Sequence, residues 1–302
     1  RCPLRAMGLL MGETLRLLVR SLRPRQWVKN LIVLAPLIFS QHLLEPDRAL
    51  RAVAAFGLFC LLSGGIYVLN DLRDIERDRL HPVKGRRPLA SGALSPRLAW
   101  RFGILVLLGA LALSFRLGVG FGLAALAYVL LQAAYSLWMK TIVILDVFAI
   151  AGGFVLRAVA GGEAVAVPLS PWFFICTLLL ALFLGLSKRR HELLLLNNSA
   201  AEHRASLGEY SPLLLDQMIA MVTAATIVTY ALYTLSTETI ARFHTDALKY
   251  TVPVVLYGIF RYLYLVYQKG EGGNPETLLL VDRPLLATIL LYGVMVIWIL
   301  YR

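Results

Sequence analysis

Charged residues are scarce in this sequence. Only 16% of its 302 residues are Asp, Glu, Lys or Arg, whereas 59% are hydrophobic. Soluble domains carry roughly 25% charged and about 45–50% apolar residues. This departure excludes an ordinary soluble globular domain and favours a protein whose solvent is lipid.

Cysteine is also scarce. The three cysteines are Cys2, Cys60 and Cys176, and the last two lie inside apolar runs. They show neither the spacing of metal ligands nor an even-numbered disulfide framework. We therefore interpret them as small apolar residues and assign them no redox role.

Long apolar runs fill most of the chain, and a membrane-spanning helix needs about 20 such residues. The runs predict an all-α integral membrane protein, with one membrane domain over 1–302 and about nine transmembrane helices. Residues 1–24 are basic, and either an interfacial helix or a partly ordered tail fits them. The predicted spans are 28–44, 49–69, 97–115, 118–138, 142–162, 169–187, 212–236, 249–267 and 284–301.

The basic residues orient the predicted bundle. The net charge is +12, and a cytoplasmic N-terminus places most of the 30 Lys and Arg residues on the cytoplasmic side, as the positive-inside rule requires. Two long polar segments, 70–96 and 188–211, then become cytoplasmic active-site loops. We expect a multi-pass protein of the bacterial inner (plasma) membrane with its active site facing the cytoplasm. Topology accounts for the charge, so no nucleic-acid partner is expected.

The first polar segment begins with acidic residues on one helical face. Asn70, Asp74 and Asp78 are spaced i, i+4, i+8, and Asp71 precedes Asp74 by three residues. Residues at these spacings share a face. Neighbouring carboxylates repel each other unless a cation lies among them, and Mg²⁺ prefers carboxylates together with substrate phosphates. The pattern predicts a Mg²⁺–diphosphate site with Asp71, Asp74 and Asp78 as ligands. The alternative is a solvated helix end of mixed charge.

A basic loop follows, with the sequence His81-Pro82-Val83-Lys84-Gly85-Arg86-Arg87-Pro88. We expect Lys84, Arg86 and Arg87 to bind phosphate oxygens near the metal. Topology alone also keeps basic loops in the cytoplasm, and both explanations can hold.

Together these two motifs resemble the first signature of the UbiA-like membrane prenyltransferase superfamily. The resemblance implies nine spans around a cavity open to lipid, and a first motif that binds Mg²⁺ and the diphosphate of a donor. Most of the superfamily carries a second aspartate motif after helix 6. Here the sequence at that place is Leu186-Ser187-Lys188-Arg189-Arg190-His191-Glu192.

This basic cluster and the sequence Gly153-Phe154-Val155-Leu156-Arg157-Ala158 are most similar to one branch, the decaprenyl-phosphate phosphoribosyltransferases. That branch implies phosphoribosyl diphosphate as donor and a polyprenyl phosphate lipid as acceptor. Lys188 and Glu192 are spaced to pair, which would leave Arg189 or Arg190 to bind a phosphate. A helix C-terminus also favours positive charge without any ligand.

Further polar residues lie near the same membrane surface. Tyr135 and Lys140 look like the family's tyrosine–lysine element, although their spacing is one residue longer than usual. Lys29 lies at the cytoplasmic start of the first predicted span. Asp146 and Arg157 are 11 residues apart and share a helical face. A charge this deep belongs either to a functional site or to a buried ion pair that holds helices together.

The resemblance therefore implies Mg²⁺-dependent transfer of 5-phosphoribosyl from phosphoribosyl diphosphate to a polyprenyl phosphate, with diphosphate released. The predicted catalytic residues are Asp71, Asp74, Asp78, Lys140 and Asp146. The predicted phosphate-binding residues are Lys29, Asn70, Lys84, Arg86, Arg87, Tyr135, Arg157, Lys188, Arg189 and Glu192.

Two alternatives compete with this prediction. A prenyltransferase of the same fold would move a prenyl group from prenyl diphosphate to an aromatic acceptor, and the missing second aspartate motif argues against it. A small-molecule transporter would place its polar residues near the bilayer midplane. Only Arg157 fits that description, because the acidic cluster lies at the membrane surface.

Overall fold

The computed structural model describes residues 3–80, 83–196 and 205–302, and every regular element in these ranges is helical. The α-helices are α1 (Pro3–Ser21), α2 (Ala35–Phe39), α3 (Pro46–Arg73), α4 (Ile75–Leu80), α5 (Pro96–Leu117), α6 (Val119–Leu137), α7 (Leu145–Ala164), α8 (Pro171–Leu196), α9 (Ala205–Gly208), α10 (Pro212–Leu235), α11 (Thr237–Phe243), α12 (Val252–Tyr267), α13 (Pro275–Val281) and α14 (Arg283–Tyr301). Short 3₁₀ segments cover Pro24–Leu34, Lys84–Arg86, Met139–Thr141 and Ala247–Thr251.

Eight helices within the described ranges are long and apolar enough to cross a membrane. They are α3, α5, α6, α7, α8, α10, α12 with the 3₁₀ turn before it, and α14. They correspond to eight of the nine apolar runs. The all-helical membrane fold expected from composition is therefore confirmed.

The first apolar run, 28–44, differs from the prediction because it does not form a long α-helix. Pro24–Leu34 is a 3₁₀ helix, and α2 follows it. At about 2.0 Å per 3₁₀ residue and 1.5 Å per α residue, these two elements extend about 30 Å. That is the thickness of a hydrocarbon core.

The ends of this irregular segment confirm that it passes along the whole bundle. Arg23, just before it, donates to Asp71 at the end of α3. Gln41, just after it, donates to the carbonyl of Leu300 at the end of α14 (2.8 Å). Irregular backbone at membrane depth is tolerated where protein covers it, and Asn30 and Val33 are buried.

A glycine explains how closely this segment lies against α7. A Cβ atom on Gly161 would lie 2.2 Å from the carbonyl oxygen of Val33. Only glycine leaves room for the two backbones at this crossing. Small residues serve the same purpose in other tightly packed membrane helices.

Two apolar cores lie on either side of α7. One surrounds Phe59, Phe121 and Tyr128 and includes Ala160 of α7. The other surrounds Phe183 and Tyr262 and includes Val147 and Ala151 of α7. Helix α7 therefore supports both halves of the bundle, and its first residues reach the end that carries the acidic motif.

The first polar segment begins as the predicted helix but is interrupted, whereas the second contains more helix than the sequence predicted. Helix α3 continues to Arg73, Asp74 interrupts it, and α4 follows. Helix α8 continues through the basic cluster to Leu196, so the first part of 188–211 is not a loop. Lys, Arg, Glu and Leu are good helix formers, which explains the extension. Residues 197–204 of that segment lie outside the described residues.

Candidate active site

The acidic motif holds two buried aspartates that share arginine partners. Arg87 Nη1 lies 3.0 Å from Asp71 Oδ1 and 2.5 Å from Asp78 Oδ2. Arg23 donates to the same Oδ1 atom of Asp71. The carboxylate side chains are 6% exposed and the arginines 26% and 28% exposed. The arginines therefore cover the carboxylates on the solvent side.

Asp74 occupies a different position from its two neighbours. It lies at the break between α3 and α4, with φ −98° and ψ 12°, and its carboxylate is 3.7 Å from Arg73 Nε. Asn70 accepts a hydrogen bond from Ser136 Oγ (2.6 Å), and Arg73 donates to the carbonyl of Ser136 (2.8 Å). The end of α3 is thus fastened to the end of α6.

The donor atoms suit Mg²⁺, although the three aspartates do not converge. A single nitrogen of Arg87 reaches both Asp71 and Asp78, so one cation at this point can contact both carboxylates. Hard oxygen donors are those that Mg²⁺ prefers. Within the described ranges no three His, Cys, Asp or Glu side chains are close enough to hold a metal ion. Ligation by Asp71, Asp74 and Asp78 together therefore requires side chains to move.

The basic loop after α4 folds back over the acidic motif. Arg87 is half-buried against the aspartates, whereas Lys84 and Arg86 are exposed. Gly85 allows close approach, because a Cβ atom there would lie 3.3 Å from the carbonyl oxygen of Arg79. His81 and Pro82, which complete the motif, lie outside the described residues.

The second polar cluster is centred on a fully buried ion pair. Arg189 Nε lies 3.1 Å from Asp146 Oδ2, and the two side chains are 2% and 0% exposed. Arg189 also contacts Glu192, and Lys188 lies 4.0 Å from Glu192. The predicted spacing of Lys188 and Glu192 therefore brings these two charges to the limit of ion-pair distance.

Tyr210 completes this cluster from a distant part of the chain. Its hydroxyl donates to Asp146 Oδ1 (2.9 Å) and accepts from the backbone N–H of Ile144 (2.7 Å). Burial, together with the adjacent Asp146 carboxylate, raises the pKa of Tyr210 above its ordinary value. The hydroxyl therefore stays protonated near neutral pH and remains a donor.

Arg189 and Arg190, one of which was expected to be left for a phosphate, each have a carboxylate partner in the structure. Arg189 pairs with Asp146, and Arg190 Nε lies 2.5 Å from Asp216 Oδ1. The Arg190 guanidinium also lies over the ring of Tyr267, 4.1 Å from its centroid. These partners come from α7, α10 and α12, which the linear sequence does not place beside α8.

The two clusters lie at one end of the bundle, which we call the polar end. Asn70 and Ser136 join α3 to α6. The next turn carries Lys140, whose carbonyl accepts from Ser206 (3.0 Å). Tyr135 and Lys140 are half-buried there, as is Lys29, which donates to Gln26 (2.6 Å).

Arg157 lies away from the polar end, in the middle of α7, and does not pair with Asp146. Its guanidinium donates to Asn30 Oδ1 (2.7 Å), the Gly153 carbonyl (2.9 Å) and the Tyr128 hydroxyl (2.8 Å). The ring of Tyr128 also lies under it, at 4.5 Å. These partners are neutral, so the buried ion pair left open as the alternative does not form at Arg157; it forms at Asp146, which pairs with Arg189 of another helix.

Residues 31–278 match the UbiA prenyltransferase family. The chain belongs to this family. The resemblance predicted from the two motifs is confirmed over most of the chain, and the protein is a transferase of the UbiA superfamily. The eight long apolar helices among its described residues, together with its family, make it an integral, multi-pass membrane protein.

Several curated relatives of this UbiA-family chain carry the name decaprenyl-phosphate phosphoribosyltransferase. It is 35% identical to a decaprenyl-phosphate phosphoribosyltransferase of Mycolicibacterium smegmatis, over 89% of this chain and 87% of the relative. It is 36% identical to that of Corynebacterium glutamicum, over 89% and 82% of the two chains. The corresponding protein of Mycobacterium tuberculosis is 31% identical.

Solved structures confirm the fold. A UbiA homologue from Archaeoglobus fulgidus bound to GPP and Mg²⁺ superimposes with a TM-score of 0.71 at 20% identity, covering 95% of this chain and all of that one. A homologue from Aeropyrum pernix gives a TM-score of 0.66 at 15% identity, covering 91% and 98%. At such identities the likeness concerns the fold alone.

Two residues of this candidate site were not predicted from the sequence. Arg23 lies just before the 3₁₀ helix Pro24–Leu34. In the sequence, only its proximity to the basic residues Arg25 and Lys29 could have pointed to a role in the site. Tyr210 gave no signal, because it lies 66 residues from Ile144, whose backbone it contacts. Both contacts form only when distant segments meet.

The late segment, residues 268–283, packs onto the second polar cluster on α8. The sequence suggested no role for this segment. A Cβ atom on Gly273 would lie 2.6 Å from the ring of His191, and one on Gly272 would lie 3.1 Å from the Ser187 carbonyl oxygen. Side chains at these two positions would push the segment away from α8. The segment therefore covers the basic cluster from the polar end.

Proposed function

We propose that this protein transfers 5-phosphoribosyl from phosphoribosyl diphosphate to a polyprenyl phosphate, with Mg²⁺ bound at the acidic motif. The observation that carries the proposal is the second cluster. Where most of the superfamily has aspartates, this chain has Lys188, Arg189 and Arg190 at the polar end. Cations there suit a donor and an acceptor that bring phosphates in addition to the diphosphate. The name of the relatives from Mycolicibacterium smegmatis and Corynebacterium glutamicum supports the same reaction.

The proposed reaction is a single displacement. An oxygen of the lipid phosphate attacks the anomeric carbon of the ribose, a new C–O bond forms, and the bond from that carbon to the diphosphate breaks. The nucleophile is already an anion, so no general base is needed. Catalysis is then positioning and charge stabilisation.

The acidic motif is assigned to the diphosphate. Asp71, Asp74 and Asp78 would hold Mg²⁺, which neutralises charge on the leaving diphosphate when bound. Asn70, fastened by Ser136, would orient a ligand or phosphate oxygen. Lys84, Arg86 and Arg87 would bind the diphosphate oxygens from the loop above.

The remaining phosphates are assigned to the other cations of the polar end. Lys29, Lys140 and Lys188 would bind the ribose 5-phosphate and the lipid phosphate, with Tyr135 as a hydrogen-bond donor. Asp146 and Glu192 hold Arg189 in place, so we assign them positioning roles. Arg157 keeps a predicted phosphate-binding role, although its neutral partners also make it a connector of helices.

We propose the bacterial inner membrane as the location, with the polar end in the cytoplasm. Most of the basic residues would then be cytoplasmic, in agreement with the positive-inside rule. The lipid acceptor would reach the site from the bilayer, while its phosphate stays near the membrane surface.

The test is transfer by the purified protein in detergent. Protein, Mg²⁺, a polyprenyl phosphate and labelled phosphoribosyl diphosphate are incubated, and the lipid fraction is separated by thin-layer chromatography. Label in the lipid, lost with Asp74→Ala and kept with the exposed Asp47→Ala at the start of α3, is the expected result. Label transferred only from a prenyl diphosphate to an aromatic acid would replace the proposal with the prenyltransferase alternative.

A further inference from the structure

Arg23 has an unusual backbone and a specific contact. It lies between α1 and the 3₁₀ helix Pro24–Leu34, with φ 54° and ψ 63°, in the left-handed region that non-glycine residues seldom adopt. Such strain persists where surrounding contacts hold it, often at functional sites. Here the contacts are the carboxylate of Asp71 and the ring of Tyr67, 4.8 Å from the guanidinium carbon.

The charges around Asp71 balance without any metal. Arg23 and Arg87 supply two positive charges, and Asp71 and Asp78 supply two negative ones. Both arginines contact the same oxygen, Asp71 Oδ1. A metal ion bound at that oxygen must displace at least one of them, since like charges at contact distance repel strongly where water is scarce.

We propose that Arg23 holds the place of the metal at Asp71 and then binds the diphosphate that arrives with the metal. The inference rests on the proposed function, because it takes Asp71 as a metal ligand. Arg23 neutralises the buried carboxylate while the site is empty of substrate. Once a divalent cation displaces it, its guanidinium lies beside the incoming diphosphate and forms charge-assisted hydrogen bonds with it.

The proposal predicts two effects of opposite sign. Removing the Arg23 charge removes a competitor, so a divalent cation alone binds more tightly. The same change removes a phosphate ligand, so phosphoribosyl diphosphate binds more weakly. A residue that only maintains the fold would, when lost, weaken both.

The experiment has two readouts: metal binding, which is measured directly without turnover, and the KM for phosphoribosyl diphosphate. Mn²⁺ is titrated into purified protein in detergent, without substrate, and free Mn²⁺ is followed by electron paramagnetic resonance. Arg23→Gln is compared with wild type and with Arg25→Gln, an exposed arginine two residues away. We expect Mn²⁺ to bind about three- to tenfold more tightly to Arg23→Gln, and the KM for phosphoribosyl diphosphate at saturating Mg²⁺ to rise about tenfold. Arg25→Gln should change neither.

Two further variants keep the outcome decisive. Arg23→Gly removes the charge and suits the left-handed backbone, so it replaces Arg23→Gln if that variant misfolds. Arg23→Lys keeps the charge and should bind Mn²⁺ as wild type does. Unchanged or weaker Mn²⁺ binding in both charge-removing variants overturns the competition. An unchanged KM overturns the role in phosphate binding.

Failure of the metal site itself is recognisable separately. If wild type does not bind Mn²⁺, or if Asp71→Asn binds it as well as wild type does, the metal assignment in the proposed function is wrong. The role of Arg23 then fails with it. If Asp71→Asn abolishes binding while Arg23→Gln leaves it unaltered, only the inference about Arg23 fails.

Discussion

Arg189 and Asp146 form an ion pair that is almost completely buried, with 3.1 Å between Arg189 Nε and Asp146 Oδ2. The pair joins α8 to the first turn of α7, and Tyr210 adds a hydrogen bond from the segment before α10. Three segments of the second cluster are thus held by one carboxylate. Removing the Arg189 charge leaves Asp146 buried without its cation, and removing the Asp146 charge leaves the buried Arg189 with Glu192 alone.

Asp146→Asn should therefore destabilise the protein by about 3–5 kcal/mol, the cost of breaking a buried pair. Thermal unfolding in detergent measures the change. The double variant Asp146→Asn, Arg189→Met should recover part of the loss, because no unpaired charge remains. Asp246→Asn, in an exposed pair with Lys249, is the control and should have little effect. Equal effects at the two sites would show that burial of the Asp146 pair does not matter.

Arg157 should resist replacement by lysine. Lysine lacks the planar fork that reaches Asn30, Gly153 and Tyr128 together. Each buried acceptor left unsatisfied costs about 1–3 kcal/mol. We expect Arg157→Lys to lower the unfolding temperature clearly, and Arg101→Lys, at an exposed arginine of α5, to leave it unchanged. Wild-type stability of Arg157→Lys would contradict the assigned hydrogen bonds.

Gly161 should tolerate no side chain. In Gly161→Ala the new Cβ would lie 2.2 Å from the Val33 carbonyl oxygen, so the 3₁₀ helix Pro24–Leu34 must move away from α7. Overpacking of this kind costs about 1–3 kcal/mol or more. Gly57→Ala is the matched control, since nothing lies within 4 Å of a Cβ there. Helix propensity predicts a neutral or stabilising effect for that control. Unfolding temperatures of the two variants decide the point.

The late segment should depend on glycine at its contact with His191. Gly273→Ala places a methyl group 2.6 Å from the imidazole, which should loosen the segment and expose the bond after Lys269 to trypsin. His191→Ala in the same chain should restore protection, because it removes the ring that clashes. Gel analysis of timed trypsin digests measures the rate of cleavage in the single and the double variant. Faster cleavage that His191→Ala does not reverse would place the cause elsewhere.

Transfer should require both buried aspartates and a divalent cation. Chelation by EDTA should abolish activity, and added Mg²⁺ should restore it. Asp71→Asn and Asp78→Asn should each lower activity by about a hundredfold or more, since weaker changes around metal sites already cost 10–100-fold. Asp47→Asn, at the far end of α3, should retain activity. Activity that persists in EDTA would contradict a metal-assisted reaction.

The sequence by itself determined the membrane class, the family and the positions of eight spans. Length, apolar content and motif spacing are local properties, and they survive in any packing of the helices. The acidic motif was readable only in part: Asp71 and Asp78 meet at Arg87, but the helix breaks at Asp74, so the single continuous face predicted from the i, i+3 and i+4 spacing does not form. The first apolar run was predicted as a span, whereas it forms a 3₁₀ helix followed by the short α2, packed against α3 and α7.

Only the tertiary structure decided which charges meet. Asp146 pairs with Arg189 rather than with Arg157, although Arg157 shares its helix. Arg23 joins Asp71 across 48 residues of sequence. The desolvation cost of a buried charge must be offset by whichever partner the packing brings near. That partner depends on how helices are arranged in three dimensions, which spacing along one helix does not specify.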